Sequence, residues 1–340
     1  MASVTIPTQE NRKMPKFPPG IAADASIAKP HIADLLDQKM KADYLGGPSV
    51  RGWSKIKTYM VCDRLYFLEG IRKVRPLKQS AALDIGTLFH ACMAAHYATG
   101  GQDTFKPLQA LIHEAPQTVH EVSRLLHAYF QLYAHEEAST WDIRAVEHEV
   151  VGSMTHQFPW MQVPWVAPVS CRFDLVIRKK PVGAPSAPYG PPPEGVYVVD
   201  HKVHARLSRD LLEGYGMDGQ FLLMAYLWRQ QGLEKTLGKL NGFILNIITK
   251  TANPECKRLD VAISDEDVTR FAQTIAPVVC EMDMRIKAPD ALQEANWPMN
   301  FAVCKSPFGY GLCKFWDLCI SHGRQEGLYE IAPWKQPSAK

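Results

Sequence analysis

A chain of 340 residues with a net charge of +3 is long enough to bury a large core, and its balance of apolar and charged residues excludes wholesale disorder. The charge is too even to point to a polyanion partner, so any nucleic-acid contact must rest on local clusters. No apolar run approaches the ~20 residues of a membrane helix, and the N-terminus lacks the order of a secretory signal.

A reducing, cytoplasmic setting is therefore expected. In it the eight unevenly spaced cysteines read as metal ligands or free thiols rather than as a disulfide framework. Residues 1–50, broken by Pro18-Pro19-Gly20 and Gly46-Gly47-Pro48, read as a partly irregular arm with a short helix around His31–Met40. The folded domain is expected over 51–330, followed by a tail at 331–340.

Ser54 can cap a helix to about Ile71 whose apolar face is Ile56, Tyr59, Met60, Leu65, Tyr66 and Leu68. The same stretch carries Cys62 and the cations Lys55, Lys57, Arg64, Arg72 and Lys73, which suit either a phosphate-lined path or a solvated face. Asp84 caps a second helix, Ile85–Ala98, with His90 one turn in, and a third spans Gln117–Ala138. The histidines of that third helix, His120, His127 and His135, lack a ligand spacing and read as surface residues.

Strands are expected at Ile143–Val151, at Thr155–Pro159 after a turn, at Cys171–Ile177 and at Val196–Lys202. Glu147 and Glu149 alternate along the strand and share one face; one of them facing the site is the alternative, and an ordinary polar strand face is the favoured reading. The Pro-rich segment 179–195 reads as the long loop of a hairpin. A helix from Ser208 to about Gln231 follows, then strands Gly242–Ile248 and Arg258–Ile263, and a helix opened by Ser264 with acids in its first turn. This order predicts an α/β three-layer sandwich, a central mixed sheet flanked by helices.

Two constellations carry chemistry. Alternation on a strand puts Asp200 and Lys202 on one face and His201 on the other. If Asp174 lies on the neighbouring strand, two carboxylates and an ammonium converge, a set suited to a hard divalent cation that assists phosphodiester hydrolysis. Charges placed directly after the apolar run Val196–Val199 also need partners or a metal. Near the C-terminus Cys304, Cys313 and Cys319 fall close together, and such thiolates read as a metal site whose fourth ligand must come from elsewhere, Cys62 being the best candidate. Zinc and an iron–sulfur cluster both fit that spacing.

With both constellations in view, the chain resembles the PD-(D/E)XK nuclease superfamily, specifically its RecB/AddB-type branch with an iron–sulfur cluster, which includes CRISPR-associated RecB-like and phage-encoded exonucleases. Gly86-Thr87-Leu88-Phe89-His90 is similar to that branch's Gly-X-X-X-His motif, Arg172-Phe173-Asp174 to its first carboxylate strand, and Asp200-His201-Lys202 to its Asp-X-Lys strand. Gln220 with Tyr226 resembles its Gln…Tyr helix, with a separation two residues longer than usual. Cys62, Cys304, Cys313 and Cys319 resemble its cluster ligands, split one and three.

The resemblance implies a restriction-endonuclease-like core and a Mg²⁺- or Mn²⁺-dependent deoxyribonuclease that hydrolyses phosphodiester bonds in DNA recombination, repair or phage DNA processing. It implies metal binding by His90, Asp174, Asp200 and the main-chain carbonyl of His201, and catalysis by Asp174, Asp200, Lys202 and Gln220. It implies a 4Fe-4S cluster, with Zn²⁺ as the alternative, and single-stranded or free-ended DNA as the partner. Lys55, Arg64, Arg172 and Tyr226 are the expected DNA contacts, and recombination or replication proteins the expected associates. The rival reading is a nucleic-acid-binding assembly component with a nuclease fold. A redox protein is disfavoured, because the sequence holds no dinucleotide or flavin fingerprint.

Overall fold

Among the described residues, five extended runs pair into one mixed sheet whose two faces are covered by helices, and two short ones pair apart from it. The computed structural model describes residues 51–77, 81–180, 194–305, 312–320 and 328–331. The expected arm with its short helix, the centre of the Pro-rich loop and nearly all of the tail lie outside the described residues.

The described residues open with α1 (Trp53–Val61), α2 (Asp63–Tyr66), a π-helical turn at Phe67–Ile71 and a short strand, β1 (Val74–Pro76). Helices α3 (Ala81–Thr99), α4 (Lys106–Leu111) and α5 (Pro116–Thr140) precede β2 (Trp141–His156), β3 (Trp165–Lys179) and β4 (Gly195–His204). Next come α6 (Arg209–Gly214), α7 (Gly219–Gln230), α8 (Glu234–Leu237), β5 (Leu240–Thr249) and β6 (Cys256–Val261). The described residues end in α9 (Asp265–Lys287), α10 (Trp316–Ile320) and β7 (Tyr329–Ile331), the last paired antiparallel with β1.

The main sheet runs β2-β3-β4-β5-β6. Only β4 and β5 are parallel, because α6 to α8 cross over between them; the other pairs are antiparallel. One face packs against α1, α7 and α9 through Ile56, Phe221, Leu223, Trp228, Phe271 and Val279. The other packs against α3 and α5 through Leu88, Phe89, Val122, Leu126 and Tyr129. Burial of each such large side chain contributes roughly 1.5–3 kcal/mol, and this apolar contact on both faces holds the three layers together. The expected α/β sandwich is the fold observed.

Four boundaries differ from the sequence reading, each for a local reason. The first helix breaks at Cys62, whose extended backbone (φ −164°, ψ 119°) turns its sulfur to accept from the Asn300 N–H at 3.4 Å. The helix expected from Ser208 also breaks: Asp218 starts a new helix by accepting from the Gln220 N–H at 2.7 Å. Gly152 is no turn but a mid-strand residue of β2, and a side chain there would reach within 2.5 Å of Leu227 on α7. The second helix starts at Ala81, so Asp84 sits in its first turn instead of capping it. By contrast, Ser264 and Asp267 form the reciprocal cap of α9 that the Ser-acid pattern suggested.

Candidate active site

Pairing of Leu175 with Val199 across β3 and β4 brings Asp174 beside the end of β4, where the His201 N–H donates to Asp174 Oδ2 at 3.2 Å. Alternation along β4 turns Asp200 and Lys202 to the α7 face, and Lys202 Nζ lies 2.8 Å from Asp200 Oδ2. From the first turn of α7, Gln220 donates through Nε2 to Asp200 Oδ1 at 2.7 Å and accepts from Lys202 at 3.1 Å. From α3, His90 Nδ1 lies 3.2 Å from Asp174 Oδ2. These five side chains, with Trp53, Ser54, Lys57, Arg172 and Asp218, line one cleft of about 350 Å³.

The side-chain alternation of β3 changes at this point. Cys171 and Phe173 join the same core face as Val176, whereas Leu175 and Ile177 lie on the opposite face. Beyond Asp174 on β2, Val146 pairs with Leu175 and His148 with Phe173, which sets Glu147 opposite Asp174. Glu147 has a left-handed backbone (φ +49°), uncommon for a residue with a side chain, and its carboxylate lies 2.7 Å from Arg172 Nε. It therefore belongs to the field of the site, the alternative to the favoured reading of Glu147 and Glu149 as a plain polar face; Glu149 is exposed as that reading expects. Alternation could not reveal this, because a left-handed residue in the strand re-aims its side chain.

Electrostatics divide the two carboxylates. Burial works against ionisation of Asp174, but His90 and Lys202 outweigh it and hold this carboxyl well below the usual range. Burial raises Asp200, offset only in part by Lys202, and the Asp174 charge raises it further. Burial disfavours the Lys202 cation too, yet Asp200 and Asp174 push its pKa up to about 12, so it keeps its proton at neutral pH. Burial, together with Asp174, raises Glu147 to about 7 against the pull of Arg172. His201 points to the other face, where burial drives its imidazole down to about 3 and keeps it neutral.

The donor set suits a hard cation. Asp200 Oδ2 is buried and has no hydrogen-bond partner among the described residues, since the nearby Lys202 ammonium is not aligned to donate to it. Lys202, 2.8 Å away, offsets the charge of this oxygen, and a metal ion would supply the coordination that the ammonium does not. As placed, Asp174 turns to His90 and Asp200 to Lys202, and among the described residues no three His, Cys, Asp or Glu side chains form a ready-made cage.

The other expected site residues fall elsewhere. Lys55 pairs with Glu69 at 3.3 Å, and Arg64 donates to the carbonyls of Trp297 (2.7 Å) and Glu294 (2.9 Å). Tyr226 donates to the Ser153 carbonyl at 2.8 Å. None of the three lines the cleft, whereas Arg172 does. His120, His127 and His135 are exposed.

The four cysteines of the second constellation come from both ends of the domain. Cys62 meets the Asn300 N–H, and the Cys313 N–H donates to the Cys304 carbonyl at 3.0 Å. Burial raises the Cys319 thiol to about 11, and Cys313, Cys62 and Cys304 add to the rise, yet as placed these thiols form no group of three that could hold a metal among the described residues.

Residues 53–319 match the family profile of the PD-(D/E)XK nuclease superfamily, and the chain belongs to that superfamily. Its members are phosphodiester hydrolases acting on nucleic acid, and the mixed five-stranded sheet flanked by helices is of that kind. No curated protein matches the sequence. Among solved structures, the chain is similar to a crystal structure from Eubacterium rectale described as a "Putative exonuclease", at 15% identity and a TM-score of 0.43, covering 94% of this chain and 97% of the other. It is also similar to the crystal structure of SSO0001, at 15% identity and a TM-score of 0.25, covering 56% of this chain and 74% of the other. Both likenesses are distant, and the assignment rests on the family match. Among the described residues no helix is long and apolar enough to cross a membrane.

Proposed function

We propose that this chain is a divalent-metal-dependent deoxyribonuclease that degrades DNA from free ends, and that it belongs to the RecB/AddB-type branch with an iron–sulfur cluster. The observation that carries the reading is the joint placement of Asp174, Asp200, Lys202, Gln220 and His90 around one cleft. Asp174, Asp200 and His90, with the main-chain carbonyl of His201, would hold Mg²⁺ or Mn²⁺. The ion would lower the pKa of a water and offset charge on the phosphate.

The protein's own groups do the rest. Water attacks phosphorus and the bond to the 3′ oxygen breaks. Lys202, protonated at neutral pH, acts as a fixed cation that orients the nucleophile and balances charge in the transition state, not as a base. Gln220 holds Asp200 and Lys202 in register. Arg172 and Lys57, on the wall of the cleft, take the phosphates that flank the scissile one.

Cys62, Cys304, Cys313 and Cys319 would ligate a structural 4Fe-4S cluster that clamps the C-terminal segment onto α1 and α2. What supports the clamp is that polar contacts join the same segments: Arg64 donates to the carbonyls of Trp297 and Glu294, and its own N–H donates to the Pro298 carbonyl at 3.1 Å.

The test is a time course on end-labelled single- and double-stranded DNA with Mg²⁺, Mn²⁺ or chelator. The expected result is metal-dependent loss of label from the ends, abolished in Asp200→Asn and Lys202→Ala. Tight metal-free binding without turnover would instead identify an assembly component, and undiminished cleavage by both variants would overturn the site.

A further inference from the structure

Behind the sheet, on the face turned away from the cleft, lies a buried polar network that the proposed reaction does not use. Tyr129 and Tyr97 both donate to Glu137, the latter at 3.0 Å. Arg258 pairs with the same carboxylate and donates to Asn246 Oδ1 at 2.7 Å. Asn246 Nδ2 in turn donates to the Tyr129 hydroxyl at 2.9 Å. Asn246 is fully buried and Glu137 nearly so. Apolar residues would fill this space with less desolvation, so a network of this kind has to be explained by what it fixes.

It reaches the site by two routes. Asn246 lies directly opposite His201 in the β4–β5 ladder, and its amide is 3.4 Å from His201 Nδ1. The Tyr97 ring stacks on the same imidazole, with centroids 5.8 Å apart and planes at 17°. Tyr97 is also on α3, two turns after His90, so whatever anchors its hydroxyl anchors the helix that presents His90. His201 itself supplies the N–H that holds Asp174 Oδ2. Its Nε2 has no hydrogen-bond partner among the described residues, so the ring depends on Asn246 and on stacking for its position.

We infer that Glu137, Arg258 and Asn246, acting through Tyr97 and Tyr129, are positioning residues for the cation site. They lock the His201 peptide and the α3 helix from behind, and so set the spacing of Asp174, Asp200 and His90. Outer contacts of this kind typically change metal affinity by about 10–100-fold when removed. The inference rests on the metal-dependent reading above.

The experiment is calorimetric titration of the full chain with Mn²⁺ in the absence of DNA, with a urea unfolding midpoint for each variant. Asn246→Ala is expected to weaken Mn²⁺ binding about 10-fold, and Tyr97→Phe, which removes one oxygen and keeps the ring, measurably but by less. Ser264→Ala, which removes the cap of α9 far from the network, should lower the midpoint but bind Mn²⁺ as the parent does. If Asn246→Ala does not fold, Tyr97→Phe decides. Parental Mn²⁺ affinity in the folded network variants overturns the inference alone, as does equal weakening in Ser264→Ala. A parent chain whose Mn²⁺ uptake is absent, or is unchanged by Asp200→Asn, overturns the metal reading and this inference with it.

Discussion

Gln220 donates its side-chain amide to Asp200 Oδ1 at 2.7 Å, and this bond joins the first turn of α7 to the end of β4. Because Gln220 also accepts from Lys202, the two residues that the strand places side by side are held at a fixed separation from outside the strand. Replacement by Leu leaves Asp200 Oδ1 with only Lys202, at 3.1 Å. Gln220→Leu is expected to lower kcat about 10-fold or more, with a smaller change in KM, in steady-state assays on end-labelled DNA. An unchanged kcat would remove Gln220 from the site.

Glu147 gives a pH signature. Its folded-state pKa, raised to about 7 by burial and by Asp174, lies above that of an unfolded glutamate near 4.3. A group raised in this way favours the folded state below its unfolded value, and that contribution is lost as pH rises through the folded value. Glu147→Gln, unfolded by urea in chelator, is therefore expected to gain stability relative to the parent between about pH 5 and pH 8. A difference between the two proteins that stays flat across that window contradicts the assignment.

Gly219 admits the indole of Trp53 to the rim of the cleft, and a Cβ there would lie 2.1 Å from Trp53 Cζ2. Gly219→Ala must displace the indole, which also packs on Phe271 with ring centroids 5.6 Å apart. The expected outcome is a shifted tryptophan emission maximum, a destabilisation of about 1–3 kcal/mol and weaker DNA binding. Binding by parent and variant can be compared by fluorescence anisotropy, where equal affinity would show that Trp53 takes no part at the rim.

The cysteine set makes a compositional prediction. Anaerobically purified protein should be brown and contain iron and acid-labile sulfide, and Ala at any of Cys62, Cys304, Cys313 or Cys319 should remove the colour. Loss of the clamp should also open the 294–305 segment to limited proteolysis, since Trp297 is fully buried against Phe67 and Tyr66. Colourless, zinc-loaded protein would replace the cluster by Zn²⁺ and leave the nuclease reading intact.

The linear order of residues determined a good deal. Period-two patterning put Asp200 and Lys202 on one face of β4 and His201 on the other, and the mixed sheet follows from the order of helices and strands. What required the folded chain was every relation that depends on register or on a local break. Alternation cannot tell that Glu147 turns left-handed opposite Asp174, since that is one backbone torsion inside an otherwise regular strand. Helical periodicity cannot tell that Asp218 restarts the chain so that Gln220 faces Asp200, or that Arg64 and Tyr226 are taken up by backbone carbonyls. Nor could it pair Asn246 with His201 across a parallel ladder. Local patterns specify which way a side chain points, whereas its neighbour there comes from long-range packing, which no short stretch of sequence contains.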